Sequence, residues 1–142
     1  MKLKISKVSE VVDRSLLTRF QQAVTPRLNQ YRGKSTIDLD LGLGDLINEP
    51  GKSDVVISSI SGVLLRGSYE IRVVMTSQSR RNLSDYTRVV DSLISTYLGD
   101  MIQSVGENLG LDLFVSPMAT STRVMNDGRT GEAKISVTLT LV

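Results

Sequence analysis

The chain has no cysteine, no histidine and no tryptophan. Without cysteine there can be no disulfide and no thiolate nucleophile or metal ligand, which fits a reducing compartment. Without histidine, the commonest general base near neutral pH and the commonest metal ligand are both missing. Catalysis would have to rest on carboxylates or lysine, so the chain is expected not to be an enzyme and to use no cofactor. Aromatic residues are scarce, and two Phe with four Tyr leave little on which nucleic-acid bases could stack. An excess of one charge is lacking too. The net charge of +2 is too small to make nucleic-acid binding the default reading. Long hydrophobic runs are absent, since serines and a glycine interrupt even the apolar stretch "DVVISSISGVLL". No membrane span is expected from such a sequence. The opening "MKLKISKVSEVV" is basic but has neither an unbroken apolar stretch nor a small-residue cleavage site, so it does not read as a secretory signal.

What remains is a balanced composition, 40% apolar and 23% charged, over 142 residues. That is enough for a hydrophobic core, and the whole span 1–142 reads as one domain. One short stretch raises the question of a nucleotide: Gly51-Lys52-Ser53 matches the end of a phosphate-binding loop. The full motif needs glycine five residues earlier, where Leu46 stands. It also needs a helix opening at the lysine and serine, whereas a β-branched run follows. The segment 45–54 is therefore expected to be a mobile polar loop with no nucleotide.

Hydrophobic spacing sets the elements. Val12, Leu16, Phe20, Val24 and Leu28, with Leu17 and Tyr31 alongside, form the stripe of a first helix capped at Ser6 or Ser9. Pro26 predicts a kink or break, and Gly33 a stop. The series Arg14, Arg19, Arg27 and Arg32 reads as a solvated helix face. In "TIDLDLGL", Ile37, Leu39, Leu41 and Leu43 alternate with Asp38, Asp40, Gly42 and Gly44, which predicts a strand with a polar outer face. Two further strands, 55–65 and 69–79, form a hairpin through Arg66-Gly67-Ser68, with Tyr69, Ile71, Val73 and Met75 inward. A second helix follows, capped at Asn82 with Asp85 three residues on. Its stripe is Leu83, Tyr86, Val90, Leu93, Ile94, Tyr97, Met101 and Val105, and Gly110 ends it. Last come two strands joined at Asp127-Gly128. The first continues past Pro117, and the second turns Ile135, Val137, Leu139 and Leu141 inward and Ser136, Thr138 and Thr140 outward.

The fold class expected is α+β: a mostly antiparallel sheet of about five strands on two helices, in the order α-β-β-β-α-β-β. This layout resembles the tail terminator, or tail-completion, proteins of long-tailed bacteriophages. The resemblance is carried by the chain size, the leading helix, the strand "SYEIRVVMTSQS" running into an amphipathic helix, and the closing hairpin "RVMNDGRTGEAKISVTLTLV". It spans nearly the whole chain and rests on element order. The leading "MKLKISK" and Pro26 have no counterpart in that pattern.

The resemblance implies a structural virion protein, assembled in the host cytoplasm. It would form a homo-oligomeric ring, a hexamer in the family, at the head-proximal end of a tail tube. Such a ring ends tube polymerisation and offers a surface to head connector or neck proteins. Genome DNA passes through its lumen without sequence-specific binding. The candidate assembly contacts are Asp38, Asp40, Lys52, Arg72, Arg80, Arg81, Arg129, Thr138 and Thr140. The terminal strand is expected to be an edge open to a neighbour. Three other readings stand beside this one. They are another phage neck or connector subunit, a nucleic-acid-binding module using Arg66, Arg72, Arg80 and Arg81, and a carboxylate enzyme around Asp38 and Asp40.

Overall fold

The computed structural model describes residues 2–65, 68–109 and 113–141, with side chains over 15–65, 68–109 and 120–138. The chain is an α+β protein built on one four-stranded antiparallel sheet. Helix α1 (Lys2–Leu28) runs into a 3-10 turn, Asn29–Tyr31. A short helix α2 (Gly44–Ile47) precedes the hairpin β1 (Val55–Leu65) and β2 (Ser68–Ser77). Helix α3 (Leu83–Leu93) passes through a π turn, Ile94–Leu98, into α4 (Gly99–Asn108). Strands β3 (Leu113–Val124) and β4 (Thr130–Leu141) close the fold.

In the sheet the strand order is β1-β2-β4-β3. The chain-terminal strand β4 is therefore central, paired on both sides, and the edges are β1 and β3. This corrects the expectation of an open terminal edge. Pro117 agrees with the edge position of β3, because a proline cannot donate to a second ladder.

One face of the sheet carries the core. Tyr69, Ile71, Val73 and Met75 of β2 are fully buried, as are Ala133, Ile135 and Val137 of β4. The side chains of Leu139 and Leu141 lie outside the described residues, as do Arg66, Gly67 and Gly110. Against that face pack Phe20, Val24 and Leu28 of α1, one side chain per turn as the stripe predicts, and Leu16 is buried one turn earlier. Phe20 meets the Tyr69 ring edge-on at 5.6 Å. Tyr69 lies across Gly62 of β1, where a Cβ would fall 1.7 Å from the phenolic oxygen. Thr25 and the Tyr69 hydroxyl share a 2.6 Å hydrogen bond. In the same way the Tyr86 ring covers Gly131 of β4, where a Cβ would sit 2.5 Å from Cγ. Both glycines are spaces that aromatic rings need.

Three sequence expectations are corrected here. Helix α1 starts at Lys2, so Ser6 and Ser9 lie within it and not at its start. The helix is not broken at Pro26, which lies in its last turn, with Arg27 and Leu28 following before the 3-10 turn. The predicted strand 37–44 does not form. Ser35 and Asp38 instead exchange hydrogen bonds, amide to carboxylate at 3.0 Å and amide to hydroxyl at 3.1 Å. This reciprocal pair caps a helical turn, in which Leu39 N–H donates to the Ser35 carbonyl at 3.1 Å. Asp40 and Gly42 then take positive φ, 50° and 73°. Leu39, Leu41 and Leu43 are buried all the same, while Ile37 is 59% exposed.

The second helix is present, but its stripe changes phase. Tyr86, Val89, Val90 and Leu93 face the core before the π turn, and Leu98, Ile102 and Val105 after it. The Gly99 N–H reaches back five residues to the Ile94 carbonyl, which inserts one residue into the helical count. Tyr97 and Met101, expected in the core, are consequently half-buried, and Leu83 at the helix start is 49% exposed. The Asn82 cap is made, its Oδ1 accepting from the Asp85 amide at 2.9 Å.

Leu93→Ala is expected to lower stability by about 2–5 kcal/mol, and Leu83→Ala to change it by less than about 0.5 kcal/mol, in urea unfolding. Equal losses would mean that the helix is rotated from the orientation described. Burial pushes the phenols of Tyr31, Tyr69 and Tyr86 above the ordinary tyrosine range. A raised folded pKa means that their contribution is complete below the unfolded value of about 10 and is lost as pH rises through the folded values. Melting temperature should therefore hold up to about pH 9–10 and fall beyond it. Absorbance at the tyrosinate band should rise in step with unfolding. Full ionisation of these rings in a folded protein would contradict the packing.

Candidate assembly surface

The face of the sheet opposite the helices is open to solvent. Its cross-strand rows follow from the pairing: Ser61, Arg72, Lys134 and Ser121 form one, and Ser59, Val74, Glu132 and Arg123 the next. Arg72 bonds its own strand's Glu70 at 3.0 Å, and Arg123 bonds Glu132 across the ladder at 3.2 Å. Arg72 and Lys134 are direct cross-strand partners, a like-charge pair that disfavours the sheet by tenths of a kcal/mol. Thr138 is exposed opposite Ser68. The side chain of Thr140 lies outside the described residues. Lys134 was not among the candidates read from sequence, although the same alternation that turns Ser136 and Thr138 outward reaches back to it.

A second region lies at one end of the sheet. There the loop before β1, the β2–α3 connection and the β3–β4 turn meet. Lys52 Nζ donates to the Arg80 carbonyl at 2.7 Å, and the Arg80 side chain lies against Gly128. The Arg129 carbonyl accepts from the Ser77 amide at 2.9 Å. Lys52, Arg80 and Arg129 thus come from distant parts of the chain to one corner. Among the described residues none of the three has a carboxylate within ion-pair distance.

Arg81, the fourth cation there, has a different role. Its side chain is fully buried, with Nε donating to the Ser53 carbonyl at 2.9 Å and Nη2 to the Leu46 carbonyl at 3.1 Å. Nη1 faces Asp85 at 3.4 Å and Glu49 at 3.6 Å. The guanidinium is enclosed and fully engaged, so Arg81 is corrected from a surface contact to an internal tie. Asp38 and Asp40 sit in the turn before α2 and not on a sheet strand, and both are exposed. The carbonyls beside them, Leu39 and Leu41, accept from Tyr97 and Ser92 of the second helix, both at 2.6 Å. Asp38 is held below the usual carboxylate range by the Ser35 backbone and hydroxyl.

The segment 45–54 is pinned, which corrects the expectation of a mobile loop. The Ser53 amide bonds the Ser79 hydroxyl, and the Ser53 carbonyl takes Ser77 Oγ at 3.0 Å in addition to Arg81. Asp45 forms a forked ion pair with Arg88 at 2.7 and 2.8 Å, and hydrogen bonding from Arg88 lowers its pKa. Strand β1 follows Lys52 and Ser53 where a phosphate-binding loop would need a helix. Among the described residues no three carboxylates gather as a metal site would require. An open cleft of about 520 Å³ is lined by Arg123, Val124, Met125, Asn126 and Asp127 and brings together no acid and base pair. No helix is long and apolar enough to cross a membrane among the described residues. What the arrangement offers chemically is hydrogen bonding, charge and free strand edges.

No protein-family model, no curated protein and no solved structure matches the chain.

Replacing Arg81 by methionine would leave the Leu46 carbonyl without its donor and the Ser53 carbonyl with Ser77 Oγ alone. The expected loss is about 2–5 kcal/mol in urea unfolding. Lysine should recover little of it, because one ammonium cannot reproduce a fork that serves two carbonyls and a carboxylate. Full stability of Arg81→Lys would show that charge alone is needed.

Proposed function

We propose that the chain is a structural subunit of a phage virion, forming a ring at the head-proximal end of a tail tube. There it ends tube polymerisation and joins tail to head. The observation that carries this reading is the sheet: among the described residues one face carries the buried core, and the other is an exposed, mostly polar surface that reaches all four strands. Such a surface, rich in Ser and Thr with paired and unpaired charges, suits extended contact with another protein. The α+β plan agrees with the resemblance in its helix, hairpin, helix, hairpin order. The strand between the first helix and the first hairpin is replaced by a capped turn. The ring would consist of copies of this chain, a hexamer in the family, touching tube protein below and connector proteins above. A neck or connector subunit of the same plan is the second reading, favoured by the same open face.

Purified protein mixed with tail tubes of its own phage should appear in negative-stain micrographs as a ring at one tube end. Tubes assembled in its presence should be shorter and uniform. Decoration along the tube, or no binding, would discard the terminator reading. Binding to isolated connectors alone would favour the neck subunit.

A further inference from the structure

The two edges of the sheet are treated differently by the sequence. Edge strands of soluble proteins are commonly guarded by charges, prolines or bulges, because their unpaired N–H and C=O groups template pairing with other chains. Strand β3 is guarded in its first half, by Pro117 and a register irregularity between Ser116 and Ala119. Strand β1 spans eleven residues, Val55–Leu65, without one charge or proline. Its beginning is covered: the Ser35–Val56 bridge and the Gly33, Lys34 and Thr36 backbone bonds occupy residues 55–57. Beyond its own irregularity between Ile57 and Ser59, among the described residues no strand pairs with the far side of β1. Val63 and Leu65 are 40% and 45% exposed there.

We propose that this open half of β1 pairs with the C-terminal half of β3 in a second copy of the chain, continuing the sheet from subunit to subunit. Direction and level both permit it. Each neighbour in the order β1-β2-β4-β3 is antiparallel, so the two edges run in opposite senses. A head-to-tail repeat therefore sets β1 antiparallel to the next copy's β3. The rows fix the level: Ser59 stands with Arg123, Ile60 with Thr122, Ser61 with Ser121 and Gly62 with Thr120. All four positions on β3 lie beyond Pro117. Arg123 is turned to Glu132 on its own sheet and leaves no charge unmatched at the seam. A contact between two different edges is heterologous, and it closes into a ring when the rotation per copy fits. The inference rests on the ring reading above and names its interface.

Because the chain has no cysteine, introduced thiols report the contact without background. Ser61 and Ser121 are exposed and share the open face, so Ser61→Cys and Ser121→Cys should leave the fold intact, checked by circular dichroism. Treated with a short bismaleimide at rising concentration, the double variant should give a ladder of covalent oligomers, and neither single variant should. Adding Val63→Lys, which charges the edge, should abolish the ladder while leaving the melting temperature unchanged. Dimers from Ser61→Cys alone would show two-fold β1 pairing and overturn the proposal, as would monomer at every concentration or a ladder indifferent to Val63→Lys. A ladder without binding to tail tubes would keep this contact and discard the terminator reading. Rings on tubes without the cross-link would do the reverse.

Discussion

The guanidinium of Arg81 is the tie on which one end of the fold depends. It sits where the β2–α3 connection enters the second helix, and it reaches three separate places: Leu46 in α2, Ser53 before β1, and Asp85 in the first helical turn. Its backbone amide adds a fourth, donating to the Gly128 carbonyl at 2.7 Å in the β3–β4 turn. Burying a guanidinium without partners would be strongly unfavourable, so its donors must be met together or not at all. That requirement couples the loop before β1 to the closing hairpin, although 75 residues separate Ser53 from Gly128. Lys52, Arg80 and Arg129 are gathered at the corner because this tie brings their backbones there.

A second constraint works between the helices and the sheet. The sheet presents two glycines, Gly62 and Gly131, to the rings of Tyr69 and Tyr86. Those rings carry hydroxyls that must find partners, and they find them in Thr25 of α1 and the Gly128 carbonyl, the latter at 3.0 Å. Tyr69 thereby ties β2 to β1 by packing and to α1 by a hydrogen bond, and Tyr86 ties α3 to β4 by packing and to the β3–β4 turn by a hydrogen bond. The π turn belongs to the same economy of fit. By adding one residue at Ile94–Leu98, it rotates Leu98 and Ile102 inward and leaves Tyr97 free to bond the Leu39 carbonyl.

Much of this was legible in the residues. The α1 stripe, both hairpins, the Asn82 cap, the inward set of β2 and the Asp127-Gly128 turn all follow from spacing and turn chemistry, because each depends on neighbours within a few positions. The false strand at 37–44 shows where that logic fails. Leu39, Leu41 and Leu43 do alternate in burial, but a capped turn with positive φ at Asp40 and Gly42 achieves it without a ladder. The signal against a strand was present in Ser35-x-x-Asp38, which is the pattern of a capping pair. The phase slip in the second helix had a weaker sign, Gly99, whose Cβ would approach the Ile94 carbonyl at 3.2 Å. The burial of Arg81 beside exposed Arg80 had no sign at all, since adjacent arginines look alike until the loops that enclose one of them are in place.

The same distinction governs the surface. Local pattern assigns a residue to a face, as it did for Arg72 and Thr138, but strand order decides which face or edge meets another molecule. A chain that ends on a strand suggests an open edge. The antiparallel return of β4 between β2 and β3 removes that edge and leaves β1 in its place. The composition of β1 then acquires a meaning that it lacked in isolation: an uncharged run suits a central strand, and at an edge it suits a strand that becomes central on assembly. A sheet whose two edges differ has a direction, and copies joined edge to edge through it would share that direction. Directional joining is what a ring with distinct upper and lower surfaces requires. A two-fold contact would instead turn alternate copies over and make the two surfaces of such a ring alike.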